Sequence, residues 1–143
     1  MIEIRKAINT DQEEISKLFS FSSGREVTGR IGEYIEEYPA SVAVDKGAIV
    51  GFCYGKPFAP DVIELLNIFV KEELRSEGVG GELIRLFETL SVESFNAIIL
   101  VNSLLYKSTE TKKFASNFYI DNGYKELIST GNSKIFGKEL VNR

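Results

Sequence analysis

The sequence predicts an α/β fold, a mixed and mostly antiparallel central sheet flanked by helices, in the order β-α-α-β-β-β-α-β-α-β-β. Three observations carry this prediction. Two β-rich runs, Ala40 to Val44 and Ala48 to Tyr54, are joined by Asp45-Lys46-Gly47, a hairpin signal. Val62 to Val70 (VIELLNIFV) is almost uninterruptedly apolar, as strands at a sheet centre are. Amphipathic segments between the later strands supply two right-handed strand-helix-strand crossovers around it. A chain of 143 residues matches one domain, residues 1–143.

Each element follows from a local pattern. Ile2 and Ile4 alternate with Glu3 and Arg5 in the first strand. Asn9, Thr10 and Asp11 then offer N-cap oxygens to a helix in which Ile15, Leu18 and Phe19 recur at helical spacing. Phe21-Ser-Ser-Gly24 is expected to break that helix. Val27 to Tyr38 reads as a second, acidic helix with Ile31, Tyr34 and Ile35 on one face, ended before Pro39. After the hairpin, Lys56-Pro-Phe-Ala-Pro60 is expected to be a loop leading into the central strand. Beyond Lys71 to Arg75 a glycine cluster opens a helix with Leu83, Leu86, Phe87 and Leu90 on its apolar face. Ala97 to Val101 is a second buried strand, and Asn102 to Thr111 is a polar connection without assignment. Lys113 to Asp121 is helical and Gly123 stops it. Tyr124 to Ile128 and Ser133 to Leu140 close as two strands around Gly131.

Composition removes whole classes of chemistry. The chain has no His and one Cys, Cys53. A Ser-His-Asp triad, a Cys-His pair and a His-ligated zinc all need imidazole, and a Cys-only zinc site needs more thiols, so no metal site is expected. No disulfide can form within the chain. With an N-terminus that opens on a strand-like alternation, this points to a cytoplasmic protein. No stretch approaches the ~18 uninterrupted apolar residues of a membrane helix. The balance of 17 Lys plus Arg against 21 Asp plus Glu argues against a nucleic-acid partner. The charge is uneven, however. Asp11 to Ala40 holds seven acids and three bases, whereas Val101 to Arg143 holds seven bases and four acids. One region therefore favours cations and the other anions.

Two segments carry chemistry. Arg75-Ser-Glu-Gly78-Val-Gly80-Gly81 lies between a buried strand and an amphipathic helix, so its backbone N–H groups point out of a helix N-terminus, where the dipole favours an anion. Leu83 stands where a Rossmann fingerprint needs its third Gly, and no Gly-Lys-Ser/Thr follows to make a P-loop. A turn that uses glycine only for geometry is the competing reading. The second segment is Ala115-x-x-x-Tyr119-x-x-x-Gly123-Tyr124, in which a small residue and a tyrosine share one helix face. There the competing reading is a core tyrosine.

Together and in this order, the two segments resemble the GNAT superfamily of acetyl-CoA-dependent N-acetyltransferases, with its R/Q-x-x-G-x-G/A turn followed by A-x-x-x-Y-x-x-x-G-F/Y. The resemblance spans roughly Ile2 to Leu140 in element order, and the motifs lie within Val62 to Tyr124. It implies that Arg75 and the amides of Ser76, Glu77, Gly78, Val79, Gly80 and Gly81 hold the pyrophosphate of acetyl-CoA, the cosubstrate. The edge of Ile68, Phe69 and Val70 would pair with the pantetheine arm, and Tyr119 would face the thioester sulfur. Lys112 counts with the cofactor-binding positions, where the family often has Asn seven residues before the tyrosine; a solvated lysine at a helix start is the alternative. Ser76 and Glu77 depart from the family, standing where Gly and Lys or Arg are common.

The implied activity is acetyl transfer from acetyl-CoA to a primary amine by direct attack in a ternary complex. Such transfer from a thioester runs downhill, so the protein's task is to orient two reactants. A backbone N–H near Val70 would serve the tetrahedral oxygen and Tyr119 the departing thiolate. Glu64, the carboxylate within the central strand, is the candidate base, acting directly or through water; water alone is the alternative. Strand alternation places Asn67 on the face opposite Glu64 unless a bulge intervenes. In the family the first two helices border the acceptor site, and here that segment is acidic, which points to a small amine or peptide acceptor of cationic character. Dimers are frequent in the family, so a homodimer is the corresponding expectation. A non-catalytic acyl-CoA-binding sensor or interaction module is the rival reading, and an unrelated α/β nucleotide-binding domain a third. Cys53 reads as a small core residue or a thiol lining the site.

Overall fold

The structure, a computed structural model, describes residues 1–23, 31–103 and 117–141. Its strands are β1 (Glu3–Lys6), β2 (Ala40–Asp45), β3 (Ala48–Ala59), β4 (Val62–Val70), β5 (Ala97–Ser103), β6 (Lys125–Ser129) and β7 (Ser133–Glu139). The helices are α1 (Gln12–Ser23), α2 (Ile31–Glu37), α3 (Val79–Ser91) and α4, of which residues 117–121 are described. The strands form one sheet in the order β1-β2-β3-β4-β5-β7-β6. Neighbours are antiparallel throughout except β4 and β5, which are parallel and joined through α3. This is the mixed, mostly antiparallel sheet that the hairpins and crossovers predict. No helix among the described residues is long and apolar enough to cross a membrane.

Three local expectations are corrected. Phe21 to Ser23 continue α1 instead of breaking it, since none of these residues forbids helical backbone. Lys56 to Ala59 belong to β3 and not to a loop. Pro57 pairs with Ile63 and Ala59 with Val62, so Phe58 is an extra residue on β3, an irregularity that tolerates the proline. The polar Asn102 and Ser103 extend β5, because β7 offers them partners in Lys134 and Ser133. The part of the second helix expected before Ile31, the connection from 104 and the start of the helix expected at Lys113 lie outside the described residues.

Asp11 shows how the first turn is held. Its carboxylate accepts hydrogen bonds from Arg5 Nη1 at 2.8 Å, Arg5 Nη2 at 2.9 Å and the Ile8 N–H at 2.8 Å. The Arg5 hydrogen bond holds this buried carboxyl below its ordinary range. The helix entry is thus tied to β1, six residues upstream.

The sheet divides the core into two layers. On one face Ile63, Leu65, Cys53 and Phe136 pack with Leu83, Ile84 and Phe87 of α3. On the other, Val42, Phe52 and Tyr54 pack with Ile15 of α1 and Ile31 and Ile35 of α2. Phe52, Phe87 and Phe136 are fully buried, each a contribution of about 1.5–3 kcal/mol. Cys53 is likewise a core residue, and burial pushes its thiol up.

Candidate active site

The site begins where two strands part. β4 is paired with β3 along its length, but with β5 only from Val62 to Glu64. Beyond Glu64 the strands diverge, and β5 continues against β7 as far as Ser103. Among the described residues no strand covers the other edge of Leu65 to Val70. A cleft of about 640 Å³ occupies this region, lined by Ile68, Phe69 and Val70, by Arg75, Ser76, Gly78, Gly80 and Gly81, and by Tyr119.

The glycine turn is shaped for an anion. Gly78 caps α3 at φ +82°, and the Glu82 N–H makes the first helical bond to its carbonyl at 3.1 Å. The N–H groups of Val79, Gly80 and Gly81 precede that bond, so helix geometry leaves them no intrahelical acceptor. No side chain caps them from Gly78. A Cβ on Gly80 would come within 3.1 Å of Phe118 Cε1, so bare backbone at this position lets α4 lie against the turn. Ser76 adopts φ +77°, a left-handed conformation that favours glycine. This is the physical reason for glycine at that place in the resembling motif.

Arg75 folds back across the end of β4. Its Nε donates to the Val70 carbonyl at 2.9 Å, and the guanidinium lies 5.6 Å over the Phe69 ring. Glu77 and Val79, named for their amides, present no cleft-lining side chain: Glu77 is exposed and Val79 is buried in the α3 core. Lys112 lies outside the described residues.

Tyr119 enters the cleft from α4. Its ring is held by Phe136 and Phe118, both at 5.3 Å between centroids, and by Tyr124 at 6.2 Å. Burial pushes its phenol well above the ordinary tyrosine range, so the hydroxyl is a neutral donor at any working pH. The same ring packs against the core, as the competing reading of a core tyrosine expects.

Glu64 stands at the fork, as the last β4 residue paired with β5, opposite Ile99. It does not line the cleft. Its neighbours Ile63 and Leu65 belong to the α3 layer, so Glu64 faces the layer of α1 and α2, on the other side of the sheet from Tyr119. The expectation that Asn67 faces away from Glu64 is overturned. Tyr54 pairs with Asn67 but Gly55 pairs with Leu65, which makes Leu66 an extra residue on β4. Leu66 and Phe69, three apart, consequently pack into the same α1/α2 layer. Asn67 thereby shares the face of Glu64 and lies opposite Tyr54, its register partner on β3.

Further residues complete the lining: Asn102 at the end of β5 and Asn117, Phe118, Asp121 and Asn122 around Tyr119. The α4 group had a sequence signal in its spacing of three and four from one another. Asn102 had none, since it stands in a polar stretch whose strand partner is remote in sequence.

The acetyltransferase (GNAT) domain family matches residues 36–126. No curated protein matches the chain in sequence. Among solved structures, YncA, a putative acetyltransferase from Salmonella typhimurium with its cofactor acetyl-CoA, has a TM-score of 0.80 at 13% identity, over 100% of this chain and 96% of that one. An aminoglycoside 6'-N-acetyltransferase complexed with coenzyme A has a TM-score of 0.73 at 19% identity, over 100% and 98%. The PaiA N-acetyltransferase from Thermoplasma acidophilum in complex with coenzyme A has a TM-score of 0.69 at 20% identity, over 97% and 99%. At these identities the likeness is one of fold.

Proposed function

Because the chain belongs to the GNAT acetyltransferase family, we propose that it moves an acetyl group from acetyl-CoA to a primary amine by direct attack within a ternary complex. We read residues 1–143 as one such domain, acting in the cytoplasm. The observation that carries the reading is the cleft itself, where an uncovered strand edge, a capless glycine turn and a neutral tyrosine meet.

The residues divide the work. The amides of Val79, Gly80 and Gly81 with the α3 dipole bind pyrophosphate oxygens, and Arg75 adds a cation beside them. The Ile68 to Val70 edge offers backbone hydrogen bonds to an extended amide-bearing arm, and a Val70 N–H serves the tetrahedral oxygen. Tyr119 gives a hydrogen bond or proton to the departing thiolate. Glu64, from the opposite face, takes the amine proton directly or through a water. Holding the two reactants in line is the larger effect, worth up to about 7–11 kcal/mol in ideal cases.

The acceptor is a cationic amine, either a small molecule or a basic peptide end. Asp11 is neutralised by Arg5, Glu13 pairs with Lys17, and Glu14 accepts the Ile49 N–H. The exposed Glu33, Glu36 and Glu37 of α2 then carry the acidic surplus bordering the α1/α2 face. The structural neighbour named for aminoglycoside 6'-N-acetyl transfer fits such an acceptor.

The test is release of free CoA thiol from acetyl-CoA with pooled polyamines and amino sugars, against pooled neutral amino acids and acidic peptides. Release with the first pool supports the whole reading. Release with the second alone removes the cationic acceptor but keeps the enzyme. Acetyl-CoA binding without release from any pool, basic peptides included, leaves a sensor.

A further inference from the structure

Behind Tyr119 lies a polar cluster that the reaction does not use. Glu88, in the last turn of α3, is 15% exposed in its side chain and Lys138, on β7, 27%. Lys138 Nζ donates to Glu88 Oε1 at 3.0 Å and Oε2 at 3.1 Å, and to the Asn122 carbonyl at 2.9 Å. The Tyr124 hydroxyl donates to Glu88 Oε2 at 2.9 Å, and the ammonium sits 5.4 Å from the Tyr124 ring centroid.

The Asn122 carbonyl is one of those that a helix end leaves without an intrahelical donor, at the negative end of the dipole, where a cation is favoured. Gly123 makes the approach possible. It turns the chain at φ +90°, and a Cβ there would come within 3.3 Å of Lys138 Nζ. The Tyr119 carbonyl accepts the N–H groups of Asn122 at 3.2 Å and Tyr124 at 3.0 Å, so the tyrosine's own backbone is part of the fastened turn. The Asn122 side chain meanwhile lies against the glycine turn, its Oδ1 3.5 Å from where a Gly81 Cβ would be.

We propose that Lys138, clamped by Glu88 and Tyr124, is a positioning residue that locks the end of α4 to α3 and so holds Tyr119 at the cleft. This rests on the reading of Tyr119 as the group that serves the thiolate. The clamp ties the helix carrying the donor to the helix carrying the anion turn, which keeps thiolate and phosphate sites in register.

The test is a double-mutant cycle on kcat for CoA release, using Lys138→Met and Tyr119→Phe. Lys138→Met is expected to lower kcat about tenfold when Tyr119 is present and less than twofold when Phe replaces it. Equal factors in both backgrounds overturn the proposal and leave the transferase reading intact. Wild-type turnover in Tyr119→Phe alone overturns the role of Tyr119 and, with it, the clamp's purpose. Should Lys138→Met fail to fold, Tyr124→Phe removes only the hydroxyl and enters the same cycle, with the same coupling expected and the same equality decisive.

Discussion

Removing one oxygen from Tyr119 tests the role proposed for it in chemistry apart from binding. Tyr119→Phe is expected to lower kcat by about ten- to a hundredfold, with the KM for acetyl-CoA within about twofold, because the ring still packs on Phe136. In the wild type, kcat should show no descending limb between pH 8 and pH 10, since burial raises the phenol's pKa above that window; a fall centred near the ordinary tyrosine value would contradict this assignment. Asp11 gives the residue-level stability prediction. Its pKa is lowered in the fold, so the stabilisation is fully present above the ordinary aspartate pKa of about 4 and is lost as pH falls through the folded value. Asp11→Asn should therefore cost about 1.5–3 kcal/mol at pH 7, measured by urea unfolding, with the gap from wild type narrowing toward pH 3.

Two glycine-like positions in the central elements make opposite predictions. Ser76 holds φ +77° with a side chain, so Ser76→Gly should raise stability by about 1 kcal/mol by releasing left-handed strain. Gly55 lies beside the β4 bulge, and a methyl there would overlap the Glu64 carbonyl and come within 2.9 Å of Phe87 Cζ. Gly55→Ala should cost about 3 kcal/mol and shift the bulge that turns Asn67 toward the Glu64 face. Thermal melts of the two variants should move in opposite directions from wild type. How legible these elements were depended on reach. The strands and α3 are written in local periodicity, whereas the Leu66 bulge arises from registering β4 against β3, a fact of two strands together.

Across the molecule, the sheet separates the two roles proposed for Tyr119 and Glu64. Tyr119 belongs to the α3 layer, and Glu64 faces the α1/α2 layer, whose second helix carries the exposed Glu33, Glu36 and Glu37. In the proposed reaction the acetyl donor and the acceptor would approach the parting of β4 and β5 from different faces, an arrangement suited to direct transfer. Glu64→Gln should accordingly leave the KM for acetyl-CoA unchanged. Below the pKa of the acceptor amine it should lower kcat/KM for that amine by about ten- to a hundredfold, measured as a pH profile. Unchanged acceptor kinetics would assign the proton to water alone.

Order of elements, the glycine turn, the Tyr119 segment and the absence of imidazole chemistry were all readable from residues near one another, because periodicity, turn geometry and helix termini are local properties. The place of Glu64 at the fork, the turning of Asn67, the entry of Asn102 into the cleft and the clamp of Lys138 on Glu88, 50 residues away, were decided by the tertiary structure. Each depends on strand register or on packing between remote segments, and neither has a signature within a window of sequence.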